Sequence, residues 1–185
     1  IKLSSDAYMN GFYYRPRMDK ATLAQWSKGL IAINGHLGSS IAHWLLRFEQ
    51  TKDPSAYQCA ANEARWHAKT FGANAAGQPC FFLELQRHDE ALQNQINPHI
   101  VRLSEELGLL YVADNDAHFL REEDYDAHDT LCCISMGKTK QDPNRLHYPR
   151  QIFVKSPRQM AELFADLPLS LIHTRQIADR CNVNL

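Results

Sequence analysis

The stretch VADNDAHFL, Val112 to Leu120, leaves an apolar run and places Asp114, Asn115, Asp116 and His118 within five positions. In extended backbone, residues two apart project to the same side. The Asp116 carboxylate and the His118 imidazole can then reach one divalent ion. An oxygen ligand beside a nitrogen ligand suits zinc, manganese or iron. Such an ion lowers the pKa of bound water and supplies hydroxide near neutral pH. The chemistry implied is hydrolysis, most naturally of a phosphoester. A helix-capping or surface role is the competing reading of the same residues.

Two other places in the chain end in the same way. The apolar run LIAIN, Leu30 to Asn34, is followed by Gly35 and His36. The run CFFLELQ, Cys80 to Gln86, is followed by Arg87 and His88. The run LLYVAD, Leu109 to Asp114, leads into Asn115, Asp116 and His118. In parallel α/β folds, ligands gather at the carboxyl ends of the strands. His36, Asp116 and His118 are therefore the candidate metal ligands, with His88 and Asp114 as neighbours of the site. The bland alternatives are backbone bonding for His36 and helix entry for His88, which stands before Asp89. His43, His67, His99, His128, His147 and His173 fall in helical or connector settings and read as packed or solvated residues. No catalytic residue is singled out.

Strands that deliver these groups to one rim need helices between them. Asp19 precedes KATLAQWSKG, which predicts a helix stopped by Gly29. Serine caps open GSSIAHWLLRFEQ, with Ile41, Trp44, Leu45 and Phe48 on one face. Asp53 and Pro54 start a helix that runs to Gly72. Asp89 is expected to cap a long helix through Ile96, Ile100, Leu103 and Leu107 to Gly108, kinked or split at Pro98. Ser156, Pro157 and Gln159 have capping-box spacing. The run QIFV around Ile152 is a weaker fourth strand. ANAAGQ, residues 73–78, reads as a surface insertion, and KTKQDPNRLHY, residues 138–148, as a polar connector. Strands alternating with helices imply βαβ units and a parallel sheet.

Composition narrows the partners. The 185 residues are 44% hydrophobic and 22% charged, enough for one sizeable core in a single domain, 1–185. A net charge of -1 lacks a basic nucleic-acid footprint. Arg15, Arg17, Lys138 and Arg145 read either as phosphate contacts or as solvated surface. No apolar run approaches the roughly 20 residues that span a bilayer, so no membrane role is expected. Five cysteines without a CxxC pair read as reduced, packed thiols of a cytoplasmic protein. Adjacent Cys132 and Cys133 fall in an apolar helix. The opening residues IKLSS read as the end of a helix already in progress, as in a fragment.

The motifs GFYYRPRMD from Gly11, GLIAINGHLG from Gly29, FFLELQRHD from Phe81 and ADNDAHFL from Ala113 carry a resemblance. So do AHDTLCCISMGK from Ala127, DPNRL from Asp142, KSPRQMAELFADLP from Lys155 and IADRCNV from Ile177. In that order they resemble the PHP (polymerase and histidinol phosphatase) domain of bacterial DNA polymerase III alpha subunits, over nearly the whole chain. The resemblance implies an α/β fold, part of a distorted (β/α)7 barrel with parallel strands and lacking the first strands. It implies a divalent metal, zinc or manganese, at the strand ends. Asp116 and His118 match the family's late ligands, and His36 stands where the family often has cysteine. The family's His-x-His motif is absent, so only a partial site is expected here. The implied parent is a DNA-directed DNA polymerase, its barrel a 3′–5′ exonuclease or a scaffold. The implied partners are the rest of the polymerase chain, DNA and a proofreading exonuclease subunit. The isolated segment is expected to be inactive and, with an open sheet edge, to self-associate. A free-standing histidinol-phosphatase-like enzyme is the alternative, against which GFYYRPR and DPNRL argue.

Overall fold

A computed structural model describes residues 1–183. Its centre is the strand β2, Phe81–Gln86, in which all six residues are buried. Strands of a parallel sheet have both faces covered, and their sequences read as near-continuous apolar runs. β1, Ala32–Ile33, pairs parallel to one side of β2, with Ala32 opposite Phe81. β3, Tyr111–Asp114, pairs parallel to the other, with Leu83 opposite Tyr111. The sheet order is β1-β2-β3.

Parallel neighbours need crossovers, and helices supply them. Lys2–Met9 is α1 and Lys20–Gln25 is α2. α3, Ser40–Thr51, and α4, Pro54–Phe71, join β1 to β2, and α5, Ala91–Leu107, joins β2 to β3. α6, Tyr125–Met136, α7, Pro157–Leu163, and α8, Pro168–Arg180, complete the chain of elements. The expected caps form: Ser39 Oγ accepts from the Ala42 N–H, Asp53 from Ser55, and the Ser156–Gln159 box closes in both directions. The apolar faces meet in one core of Ile41, Leu45, Phe81, Leu83, Leu85, Ile96, Ile100, Leu103 and Phe164.

Several boundaries differ from the sequence expectations, each for a local reason. α2 ends at Gln25, before Gly29, because the chain turns where Ser27 Oγ donates to the Thr70 carbonyl. The cap of α5 is Glu90, whose carboxylate accepts from the Leu92 N–H, while Asp89 is exposed. Pro98 does not split α5. Ile96, Ile100 and Leu103 bury one face of that helix in the core, and Asn97 Nδ2 anchors it by donating to the Gln86 carbonyl.

The QIFV run is a single parallel bridge, Phe119 to Phe153, and not a strand. Two bonds hold it: His118 N–H to the Ile152 carbonyl and Val154 N–H to the Phe119 carbonyl. Arg145, read from sequence as surface or phosphate-facing, is almost fully buried against Asp129. Residues 73–78 are exposed, as expected of an insertion. The five cysteines are free.

The two edges of the sheet differ. On β3, Thr174 Oγ1 of α8 accepts from the Ala113 N–H, and His173 Nδ1 lies 2.9 Å from the Tyr111 carbonyl. These side chains occupy hydrogen-bonding groups that another strand would use. The outer edge of β1 has no strand partner among the described residues.

Candidate metal site

Each of the three strands hands the chain to a loop that carries a candidate ligand. After β1, Gly35 adopts φ +75, a left-handed turn that glycine takes freely, and His36 comes next. After β2 come Arg87 and His88. After β3, Asn115 is buried, and its amide donates to the carbonyls of Gln151 and Phe153. That anchor fixes the entry to Asp116, a non-glycine residue at φ +46. Backbone strain of this kind persists only where the surroundings hold it.

These loops converge. His36, His88, Asp116 and His118 line one cavity of about 240 Å³, together with Gln86 and Glu90. His147 and Tyr148 form its opposite wall. Asp114 is not among the lining residues. Its carboxylate accepts from the Asn115 N–H at the exposed end of β3.

The imidazoles are positioned by short bonds. His36 Nδ1 accepts from the Gly38 N–H at 3.2 Å. His118 Nδ1 lies 2.6 Å from the Asp116 carbonyl and 3.9 Å from its carboxylate. The His118 ring packs against Tyr148, with centroids 4.7 Å apart, and beyond it His128. His88 Nε2 lies 2.9 Å from Gln86 Oε1, and His88 Nδ1 is buried without a hydrogen-bond partner. Burial lowers the His88 pKa, which favours the neutral ring that a metal needs.

The donor set fits a borderline divalent cation in kind: three imidazoles, one carboxylate and an orphaned buried nitrogen. It does not close around one point. Among the described residues, no three His, Cys, Asp or Glu side chains stand close enough together to hold an ion. The chain presents a rim of donors, not a finished coordination sphere.

One buried group was not anticipated from the sequence. Glu84 lies in the middle of β2 and is 6% exposed. Burial, then the nearby Asp114 carboxylate, push its carboxyl up to about 7; the Gln86 amide opposes this, Asp116 adds to it and the Gly35 N–H opposes it. The signal was a single acid inside an otherwise apolar run.

The raised value has a consequence for stability. Folded Glu84 holds its proton over a pH range in which the unfolded chain has released it. Stability therefore falls as pH rises from the ordinary carboxyl range through about 7. Glu84→Gln has no proton to lose. Its stability relative to wild type should rise by on the order of 2 kcal/mol between about pH 5 and about pH 8. Urea melts at the two pH values check this; a difference that does not change with pH would contradict it.

Comparison with known proteins agrees with this architecture. Residues 1–88 match the PHP domain family. The DNA polymerase III subunit alpha of Borreliella burgdorferi is 40% identical over 185 residues, covering 98% of this chain and 15% of that protein. The Campylobacter jejuni protein of the same name is 37% identical over 188 residues, covering 99% of the chain and 15% of that protein. The Thermus aquaticus protein of that name is 32% identical over 191 residues, covering all of the chain and 14% of that protein. The chain thus spans about one seventh of the length of these relatives. With similarity along essentially its whole length and a parallel α/β sheet that is part of a PHP-type barrel, the chain belongs to the PHP-domain family, in the form carried by DNA polymerase III alpha subunits.

Proposed function

We propose that residues 1–185 are one PHP-type unit within a DNA polymerase III alpha subunit, a cytoplasmic DNA-directed DNA polymerase. Among the described residues, no helix is long and apolar enough to cross a membrane. The observation that carries the site reading is the convergence of His36, His88, Asp116 and His118 on one cavity from three successive strand ends. Their role is to form part of a metal-binding rim for zinc or manganese. The metal, when bound, supplies Lewis acidity and activated water for phosphoester hydrolysis. The chain's own residues orient and retain the donors: Asn115 anchors the Asp116 loop, and Tyr148 fixes the His118 ring.

Because no three donors converge, the chain alone is inactive. In the parent, ligands from outside residues 1–185 complete the sphere. The barrel then trims 3′ ends or acts as a scaffold for a proofreading exonuclease subunit. Incubation of the purified chain with manganese and a 5′-labelled DNA strand is expected to leave the strand intact. Progressive shortening from the 3′ end, lost in Asp116→Ala/His118→Ala, would show the rim to be complete and overturn this reading.

A further inference from the structure

Three polar side chains run in a line from the centre of β2 to the cavity. Glu84 and Gln86 lie two apart on the same face of the strand, and both are buried, at 6% and 2% exposure. Gln86 Nε2 donates to Glu84 Oε1. An ionised carboxylate accepts only, so the Gln86 amide must turn its NH₂ toward Glu84. Its oxygen is thereby directed to His88 Nε2, 2.9 Å away. That oxygen has no proton to give, so His88 Nε2 must carry the hydrogen. In a neutral imidazole the other nitrogen then holds the lone pair. This is Nδ1, the buried atom with no partner.

We infer that Glu84 and Gln86 are positioning residues that lock His88 in the Nε2–H tautomer, making its Nδ1 a further ligand for a borderline divalent cation at the cavity. The inference rests on the metal-rim reading given above, and it adds to it the residues that set the donor. Buried polar atoms of folded proteins almost always find partners. An unpaired nitrogen on a wall shared with His36, Asp116 and His118 is accounted for by a cation that completes it. Metal-bound histidines characteristically donate their second ring nitrogen to a fixed acceptor, which sets tautomer and ring orientation. Here the acceptor is an amide, and the amide's own orientation is set by a carboxylate behind it.

Ring ¹⁵N NMR of the 185-residue chain tests both halves, at about pH 8.5, where the Glu84 carboxyl and the His88 ring have lost their protons. The wild type is expected to show His88 as the Nε2–H tautomer, and added zinc is expected to shift His88 Nδ1. Gln86→Leu is expected to mix the tautomers and weaken zinc binding about 10-fold. Glu84→Gln, whose side-chain oxygen can still accept from Gln86, is expected to keep the tautomer, whereas Glu84→Leu is expected to lose it. The wild-type and Glu84→Gln spectra decide the matter even if the leucine variants do not fold. An Nδ1–H tautomer in the wild type overturns the relay. The Nε2–H tautomer with no response of His88 to zinc overturns its assignment as a ligand. If His36 or His118 responds to zinc while His88 does not, the rim reading survives and this inference fails alone.

Discussion

Phe164→Ala is expected to lower the stability of the chain by about 4 kcal/mol, in the range measured for buried aromatic truncations. Phe164 is fully buried at the end of α7 and belongs to the central core. The Arg87 guanidinium lies 5.0 Å from its ring centroid. Arg87 Nη1 also donates to the Leu163 carbonyl at 2.8 Å, and Nη2 to Asp166 Oδ2 at 2.8 Å. One side chain thus fastens the segment after α7 to the residue directly before His88. Folded domains are stable by only about 5–15 kcal/mol, so the loss is a large share of the total. Urea unfolding should remain a single transition with a lower midpoint and an unchanged slope. Two separated transitions would contradict the proposal that residues 1–185 fold as one unit. A loss below about 1 kcal/mol would contradict the packing role assigned to Phe164.

Asp129→Ala is expected to cost about 3 kcal/mol, as when one partner of a buried ion pair is removed. Arg145 Nη1 and Nη2 meet Asp129 Oδ1 and Oδ2 at 2.5 and 3.0 Å. The two side chains are only 6% and 9% exposed. The Arg145 guanidinium holds the Asp129 carboxyl below the usual range. The pair pins the 138–148 connector to α6, and two nearby connector residues, His147 and Tyr148, form a wall of the cavity. Removing the carboxylate strands a charge in a nearly dry site. A thermal melt should show a drop of roughly 8 °C for a chain of this length. The double variant Asp129→Leu/Arg145→Met should recover much of the loss, because it leaves no uncompensated charge. The exposed pair Arg158–Glu162, at 88% and 64% side-chain exposure, supplies the contrast. Glu162→Ala should change stability by less than about 1 kcal/mol. Equal effects at Asp129 and Glu162 would sink the argument.

Local patterns carried much of the fold. The caps Ser39, Asp53 and Ser156, and the left-handed closure at Gly108, arise from short-range hydrogen bonding, so they were legible residue by residue. β2 was legible because burial on both faces leaves an apolar run. What failed depends on contacts distant in sequence. QIFV has the composition of a strand, but Asn115 takes the carbonyls of Gln151 and Phe153, which leaves a bridge. α8 shows no strong apolar stripe, because part of its work is polar: Thr174 and His173 cover the edge of β3. Arg145 looked like any surface arginine until Asp129, sixteen residues earlier, closed on it.

The site divides in the same way. The positions just past the end of each strand hold His36, His88, Asp116 and His118, and they were legible because strand ends in a parallel sheet share a rim. The same logic over-reached at Asp114, the last residue of β3, whose carboxylate turns back to the Asn115 N–H. Glu84, Gln86, His147 and Tyr148 were missed. The first two sit inside an apolar run whose charge reads as a blemish. The last two reach the cavity from a connector with no periodicity, through a long-range ion pair.

Elemental analysis of the purified chain tests the metal rim most directly. Wild type is expected to retain zinc or manganese below one equivalent, since the donors are gathered but do not close on one point. Asp116→Ala/His118→Ala is expected to retain clearly less. Equal metal in the two proteins, or none in wild type after incubation with zinc or manganese, would contradict the account: the four side chains would then share a cavity without forming a metal site.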